Sequence, residues 1–250
     1  MTDRPLVLGI VGATGRLGRA VTSECGRRRV PIGMTASRAG WVEDTPPTVL
    51  VDASAPEALC DTVARCRRTG AALVYCVSNV PTEESHRLAA LSAEIPVVVA
   101  DNLSLGHWLQ TRMIRMVAGL TASMPRSPRM SVHERHPVTK RDRPSASARS
   151  LMRAWMESAP PGSVGETTSQ RSGQPVSDHV VTFDLPGMSL SIEHSVSDLS
   201  AAASCLLDVI EHVRRLPPGL HPIHEVYALL YARAEVRHGD RAAAGDPGQG

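Results

Sequence analysis

Leu6-Val7-Leu8-Gly9-Ile10-Val11, followed at once by Gly12-Ala13-Thr14-Gly15-Arg16-Leu17-Gly18, is the stretch that decides the fold. The first six residues make a continuous apolar run, which reads as a parallel strand buried on both faces. The glycines allow a tight turn and a close backbone approach. A helix follows, reading RLGRAVTSECGRR. Strand, glycine loop and helix in this order present free backbone N–H groups and a positive partial charge at one point, which suits a pyrophosphate. The spacing Gly-x-x-Gly-x-x-Gly is a variant of the usual dinucleotide fingerprint. A structural glycine turn is the alternative, and the strand–loop–helix context favours the nucleotide.

Outward from this stretch, short apolar runs predict strands at Val30–Thr35, Thr48–Ser54, Ala71–Ser78 and Pro96–Ala100, with helices over Pro56–Arg68 and Glu83–Ala93 between them. That alternation indicates an α/β protein with a Rossmann-type doubly wound parallel sheet. Near residue 102 the pattern changes. A long helix is expected over Leu105–Thr121, a strand at Met130–Glu134 and a helix over Ser145–Glu157. Pro160–Ser177, rich in Gly, Ser and Thr, reads as an irregular loop. Strands at His179–Phe183 and Met188–His194 flank Leu185-Pro186-Gly187, and a helix over Ser200–Arg215 stops before Pro217-Pro218-Gly219. An amphipathic segment, His224–Arg237, precedes a tail expected to be disordered.

Composition narrows the function classes. Net charge is +2, so global charge implies no nucleic-acid partner. The clusters Arg27-Arg28-Arg29 and Arg67-Arg68 read as solvated helix ends. No apolar run approaches the roughly 20 residues of a membrane helix, and the first residues lack a signal-peptide core, so no membrane partner is expected. Five cysteines without metal-type spacing point to a reducing, cytoplasmic location. Phe183 is the only phenylalanine, so the core must be mainly aliphatic.

The second strand bears on cofactor choice. NAD-binding sites usually carry an acid there, bonded to the ribose. Here the strand ends Met34-Thr35-Ala36-Ser37-Arg38 with no acid. Ser37 can donate a hydrogen bond and Arg38 can pair with a 2′-phosphate, with Arg16 assisting. This favours NADP(H) over NAD(H), which stays possible; the plainer reading of Arg38 is an exposed surface residue.

The order of motifs resembles the 4-hydroxy-tetrahydrodipicolinate reductase (dihydrodipicolinate reductase) family, from about residue 5 to 230. Gly12 to Gly18 is similar to its opening loop, Val51-Asp52-Ala53-Ser54-Ala55-Pro56-Glu57 to its Asp-Phe-Thr/Ser-x-Pro-Glu segment, and Asn102-Leu103-Ser104-Leu105-Gly106 to its hinge. Glu134-Arg135-His136-Pro137-Val138-Thr139-Lys140-Arg141-Asp142-Arg143-Pro144-Ser145 resembles its signature Glu-x-His-His-x-x-Lys-x-Asp-x-Pro-Ser-Gly-Thr. Ser169-Gln170-Arg171-Ser172-Gly173 with His179 and Phe183 resembles its Arg-x-Gly strand, and Pro217 to Leu220 the end of its C-terminal helix.

The resemblance implies a Rossmann domain over 1–101, to which 217–238 returns, and a second, smaller α+β domain over 102–216, ahead of the tail at 239–250. It implies hydride transfer from NAD(P)H to a conjugated cyclic imine dicarboxylate in a cleft between two domains, and a homo-oligomer, a tetramer built by the second domain's sheet. Gly12, Thr14, Gly15, Arg16, Leu17, Gly18, Ser37, Arg38, Ala53, Ser54, Val77 and Asn102 are the cofactor-binding candidates. Ser145, Ala146, Ser147 and Arg171 are those for the small-molecule carboxylate substrate. Departures are as informative. The paired histidines read His136-Pro137, Ser-Gly-Thr reads Ser145-Ala146-Ser147, Gly-Thr-Thr-Gly reads Cys76-Val77-Ser78-Asn79, and the Ser-Arg pair reads Asp198-Leu199. The cofactor loop is kept while the substrate site is rewritten.

Reducing a conjugated imine takes a hydride donor and a proton donor. His136 suits the proton near neutral pH, and Lys140 suits a substrate carboxylate or the proton itself. Both fall in a loop ahead of a helix N-terminus; a merely basic surface loop is the plainer reading. No metal is expected, because His133 with His136, and His221 with His224, lack a third ligand at metal spacing. No Gly-x-Ser-x-Gly elbow supports a serine hydrolase. Cys76 reads as a packing residue before a reactive thiol. Three functions stay open: an NADPH-dependent reductase of another imine carboxylate in a specialised pathway, the lysine-pathway reductase itself, and a nucleotide-binding homologue without redox chemistry.

Overall fold

The computed structural model describes residues 4–78, 80–160, 162–173 and 177–231. The chain divides into two compact units, one of residues 1–103 with 203–250 and one of Ser104–Ala202. Residues 203–216, read from sequence with the second domain, group with the first unit, and the expected tail at 239–250 lies outside the described residues.

In the first unit, β1 (Leu8–Val11) leads through the glycine loop into α1 (Arg16–Arg28). Then come β2 (Ile32–Ser37), β3 (Gly40–Glu43), β4 (Val49–Asp52), a 3₁₀ turn at Pro56–Ala58, α2 (Leu59–Thr69), β5 (Ala72–Tyr75), α3 (Thr82–Ser92) and β6 (Pro96–Val99). β1, β4 and β5 are buried along their whole length, as expected for strands covered on both faces. Leu50, Leu59, Cys66, Leu73, Tyr75, Leu91 and Val97 belong to one core cluster, each fully buried. Each such aliphatic side chain contributes roughly 1.5–3 kcal/mol.

The second unit contains α4 (Leu105–Thr121), β7 (Arg129–Pro137), α5 (Ala146–Met156), β8 (Val164–Ser172), β9 (Ser177–Leu185) and β10 (Met188–Val196). Its four strands run in the order β10-β9-β7-β8, with β7 parallel to β8 and antiparallel to β9. One end of the sheet is apolar. There Met130, Val132, Val181 and Phe183 meet Ile114 of α4 and Leu151 and Trp155 of α5. β8 corrects the irregular loop expected over Pro160–Ser177. It is an edge strand of nine residues, VGETTSQRS, whose inward positions carry polar groups, so no apolar alternation marks it.

The chain then forms α6 (Ser200–Val213), β11 (Gly219–Pro222) and a helix, α7, over 223–231. β11 pairs in parallel with β6 and completes a seven-stranded sheet in the order β11-β6-β5-β4-β1-β2-β3. Only β3 runs antiparallel, as a hairpin on β2. Because β1 lies between β2 and β4, the connections leave it in opposite directions, and the carboxyl ends of β1 and β4 border the crevice that such sheets use for ligands. Arg27, Arg29, Arg67 and Arg68 are exposed, as expected of solvated helix ends, while Arg28 is half-buried. Arg28 pairs with Glu24 and Asp208 and donates to Ser204, tying α1 to α6, while Arg67 pairs with Glu94 and Arg68 with Glu43. No described helix is long and apolar enough to cross a membrane, and all five cysteines are free thiols.

Candidate functional site

A cleft of about 730 Å³ opens at the carboxyl ends of β1 and β4. Its floor is the glycine loop. Gly12 has φ 78°, and a Cβ there would stand 2.7 Å from the Ala53 carbonyl oxygen and 2.9 Å from Ser54 Cα. Only glycine lets the loop lie this close to the end of β4. The Gly12 and Ala13 N–H groups donate to the Ala36 carbonyl at 2.9 and 3.0 Å, and Gly15 N–H donates back to the Gly12 carbonyl at 2.9 Å. Gly18 brings α1 against this loop, since a Cβ there would lie 2.1 Å from the Gly12 oxygen. No side chain caps α1, whose first-turn residues are Arg16, Leu17 and Gly18. Their amides have no partners in the helix and are free for an anion.

The end of β4 is fixed by Asp52. Its buried carboxylate accepts from Thr62 Oγ1 at 2.7 Å, from Ser54 N–H at 3.0 Å and from the Ser54 hydroxyl. Burial pushes this carboxyl up, against the pull of those donors. Ala53 and Ser54 are thereby held facing the loop and line the cleft with Gly12, Thr14 and Gly15. Ser37 and Arg38 line it from the end of β2. Ser37 Oγ accepts from Ala39 N–H at 3.1 Å, which leaves its own proton to donate. Sequence reasoning missed Trp41, which β3 brings to the same cleft, together with Glu57 and Asp61. A turn signal at Gly40, whose φ is 114°, stood next to Trp41 in the sequence. Arg16, Leu17, Gly18, Val77 and Asn102 do not line this cleft; Val77 is a core side chain. Cys76 behaves as a packing residue, its thiol pushed up by burial.

A second cluster lies in the other unit. Ser169, Glu134, His179 and His194 occupy register partners on β8, β7, β9 and β10, forming one polar row across the sheet. Glu134 is fully buried. Its carboxylate accepts from Ser145 N–H at 3.0 Å, Ser169 Oγ at 2.7 Å and Arg171 Nη2 at 3.0 Å, with His136 Nε2 at 3.3 Å. Burial pushes this carboxyl up, but its donors, His136, His179, Ser145 and Ser169, prevail and hold it well below the usual range. The ligand atoms of Glu134, His136 and His179 lie within 4.8 Å of one another, a spacing that could hold a metal ion. The Arg171 cation already on Glu134 favours a hydrogen-bond network there instead.

The histidines continue the row. The His136 and His179 rings meet edge to face at 5.1 Å, and His179 stacks on His194 at 6.3 Å. His194 Nε2 lies 2.7 Å from Ser104 Oγ at the start of α4. Burial lowers His107 to about 3 and also lowers His194, so both are neutral at physiological pH.

The predicted substrate residues are split between this network and its margin. Arg171 is buried, its guanidinium donating to Glu134 and to the carbonyls of Lys140 and Asp142. It therefore fixes the loop that carries Lys140. Ser145 caps α5 by accepting from Ala148 N–H at 3.1 Å. Lys140 Nζ pairs with Asp142 at 2.8 Å, both about one-third exposed. Asp142 also accepts from the Ala146 N–H, so a carboxylate of the chain itself sits at the N-terminus of α5. His136, by contrast, is gathered with Glu134 and His179. Glu134 and His179 were quoted in the sequence motifs without a role. The alternation Met130, Val132, Glu134, His136 on one strand face was the signal that this carboxylate is buried.

Residues 6–103 match the N-terminal part and residues 108–227 the C-terminal part of dihydrodipicolinate reductase. The chain is 27% identical over 244 residues to the 4-hydroxy-tetrahydrodipicolinate reductase of Stenotrophomonas maltophilia (strain R551-3), covering 90% of this chain and 99% of that one. It is 25% identical over 267 residues to the enzyme of the same name from Pseudomonas fluorescens (strain Pf0-1), covering 89% and 98%. Among solved structures, the dipicolinate-bound dihydrodipicolinate reductase of Paenisporosarcina sp. TG-14 superposes with a TM-score of 0.72 over 88% of this chain and 98% of that one, at 14% identity, and so shares the fold. Glycine cradle, Rossmann sheet and second unit thus occur in one order along nearly the full length of these relatives, and the chain belongs to the dihydrodipicolinate reductase family of pyridine-nucleotide-dependent reductases.

Proposed function

We propose that the chain is an NADPH-dependent reductase of a small conjugated or cyclic imine carboxylate, distinct from the lysine-pathway intermediate and belonging to a specialised pathway. The observation that carries this reading is the contrast between an intact glycine cradle ending at Arg38 and a substrate loop with Pro137 and Ala146 in place of the family's His and Gly. The cradle fits the dinucleotide, because Gly12 and Gly18, where a Cβ would strike Ala53 and the Gly12 oxygen, pack the loop tightly between β4 and α1, the arrangement that presents backbone N–H groups to phosphate. Gly12, Thr14, Gly15 and the first turn of α1 hold the pyrophosphate. Ser37 bonds the ribose and Arg38 pairs with the 2′-phosphate. When bound, the cofactor supplies hydride to the electrophilic carbon of the imine.

The chain's own residues do the rest. The substrate carboxylate takes the place of Asp142, both on Lys140 and at the N-terminal amides of α5 at Ala146 and Ser147. His136, held against Glu134, supplies the proton. Arg171 acts on substrate indirectly, by fixing the carbonyls of Lys140 and Asp142. The working form is a homo-oligomer, a tetramer by family likeness.

The test of function is NADPH oxidation with a panel of cyclic imines and dehydroamino acids, beside complementation of a lysine auxotroph. Turnover of a panel member with failed complementation is expected. Robust growth would establish the lysine-pathway reductase instead, the reading favoured by 25–27% identity to such enzymes over 89–90% of the chain. NADPH binding without any turnover would point to a non-redox homologue. Calorimetry tests the cofactor. Arg38→Ala should weaken NADPH by about 1–3 kcal/mol and leave NADH nearly unchanged. Equal affinity of the wild type for both would remove the NADPH assignment.

A further inference from the structure

We propose that Trp41 and Asp61 form a purine-reading subsite within the nucleotide cleft. The indole supplies a stacking surface, and the carboxylate accepts from an exocyclic amine, so that the site selects adenine over 6-oxopurines. This rests on reading the cleft as a dinucleotide site.

Trp41 is placed by the phosphate loop itself. It stands opposite Ala36 in the β2–β3 hairpin, and the Ala36 carbonyl is the acceptor for the Gly12 and Ala13 N–H groups. Whatever the glycine loop binds is therefore in register with Trp41 through one residue. The ring is half-buried, unlike Trp155, which is fully enclosed in the other unit's core. It is also held in place. The Arg65 guanidinium lies 4.7 Å from the ring centroid, and Glu43, on the same strand as Trp41, anchors Arg65 at 3.2 Å. Neither Arg65 nor Glu43 lines the cleft. A cation stacked on the indole from outside the cleft lining fixes its orientation before any ligand arrives, which lowers the ordering cost of stacking a base.

The other wall supplies a small surface and an acceptor. Ala58 and Asp61 both line the cleft, three residues apart at the start of α2, a spacing that puts them on one helical face. Asp61 is exposed and makes no ion pair among the described residues, although Arg38 lines the same cleft. A carboxylate only accepts hydrogen bonds. It therefore suits the 6-amino group of adenine and opposes the 6-carbonyl of hypoxanthine.

The experiment compares NADPH with its deamino form, which carries hypoxanthine for adenine, by calorimetry and by quenching of tryptophan fluorescence. Wild type should bind NADPH about tenfold more tightly than the deamino form and quench with both. Asp61→Asn, which presents an amide donor as well, should narrow or reverse that preference. Trp41→Ala should weaken both dinucleotides about tenfold, a loss typical of base stacking. Trp41→Phe keeps a stacking ring if the alanine variant fails to fold, and it should bind both dinucleotides nearly as tightly as wild type. Equal binding of the two purines by wild type, or unchanged affinity in a folded Trp41→Ala, would overturn the subsite while leaving the cofactor reading intact. Failure of wild type to bind either dinucleotide would overturn both.

Discussion

His179 lies directly opposite Glu134 in the antiparallel ladder of β7 and β9, with its Nε2 3.7 Å from Glu134 Oε2. A buried carboxylate so placed is held by both flanking strands, through Ser169 and Arg171 on one side and His179 on the other, and by the α5 cap Ser145. Its removal should therefore be felt throughout the second unit.

Glu134→Gln should destabilise the protein by about 3–5 kcal/mol, because the Arg171 cation is left buried without its counter-charge. The pH dependence follows from the direction of the shift. Glu134 titrates below its ordinary 4.5 in the folded protein, so its contribution is full above about pH 4.5 and drains as pH falls below that. His107 acts in the same direction at higher pH. It stands at about 3 in the fold against an ordinary 6.5, so the stability it contributes is lost as pH falls from 6.5 towards 3. Thermal melts across pH 3–8 should show this two-stage decline, and Glu134→Gln should flatten the lower stage. A variant as stable and as acid-sensitive as wild type would disprove this account of the network.

Gly12→Ala should abolish dinucleotide binding. The added Cβ meets the Ala53 carbonyl at 2.7 Å, and the backbone is in the left-handed region besides. The left-handed strain alone is of order 1–3 kcal/mol, so the melting temperature should fall by about 2–12 °C, while calorimetry shows no NADPH heat. Retained binding would mean that phosphate does not approach this turn.

Lys140→Ala and His136→Ala should separate binding from chemistry. Both should lower turnover, His136→Ala by about 10²–10⁴-fold with a flattened pH profile, while NADPH affinity stays near that of wild type. Lys140→Ala should in addition raise KM for the anionic substrate. Wild-type turnover in either variant, measured by steady-state NADPH oxidation, would remove that residue from the mechanism.

The first unit was legible wherever burial on both faces made strands into continuous apolar runs, and α1 and α4 fall at the residues expected. The errors have separate causes. β8 turns Ser169 and Arg171 inward to Glu134, so its buried face is polar and period-2 hydrophobicity has nothing to report. β3 and β11 are four residues each, too short for any period, and are set by pairing with β2 and β6. The cofactor cradle was readable because glycine is demanded by backbone geometry. Trp41 and the Glu134 row were not, because strand register across distant segments brings their members together.

The seven-stranded sheet is finished by a strand drawn from the last part of the chain, since β11 follows the whole of the second unit. During synthesis the outer edge of β6 stays open until more than one hundred further residues have left the ribosome. An unpaired hydrophobic edge of this kind invites pairing with another nascent chain. Val97, Val98 and Val99 on β6 are therefore at greatest risk before translation ends. Expression should depend on chaperone supply and translation speed, and premature termination just before Gly219 should yield aggregates, not a smaller soluble protein.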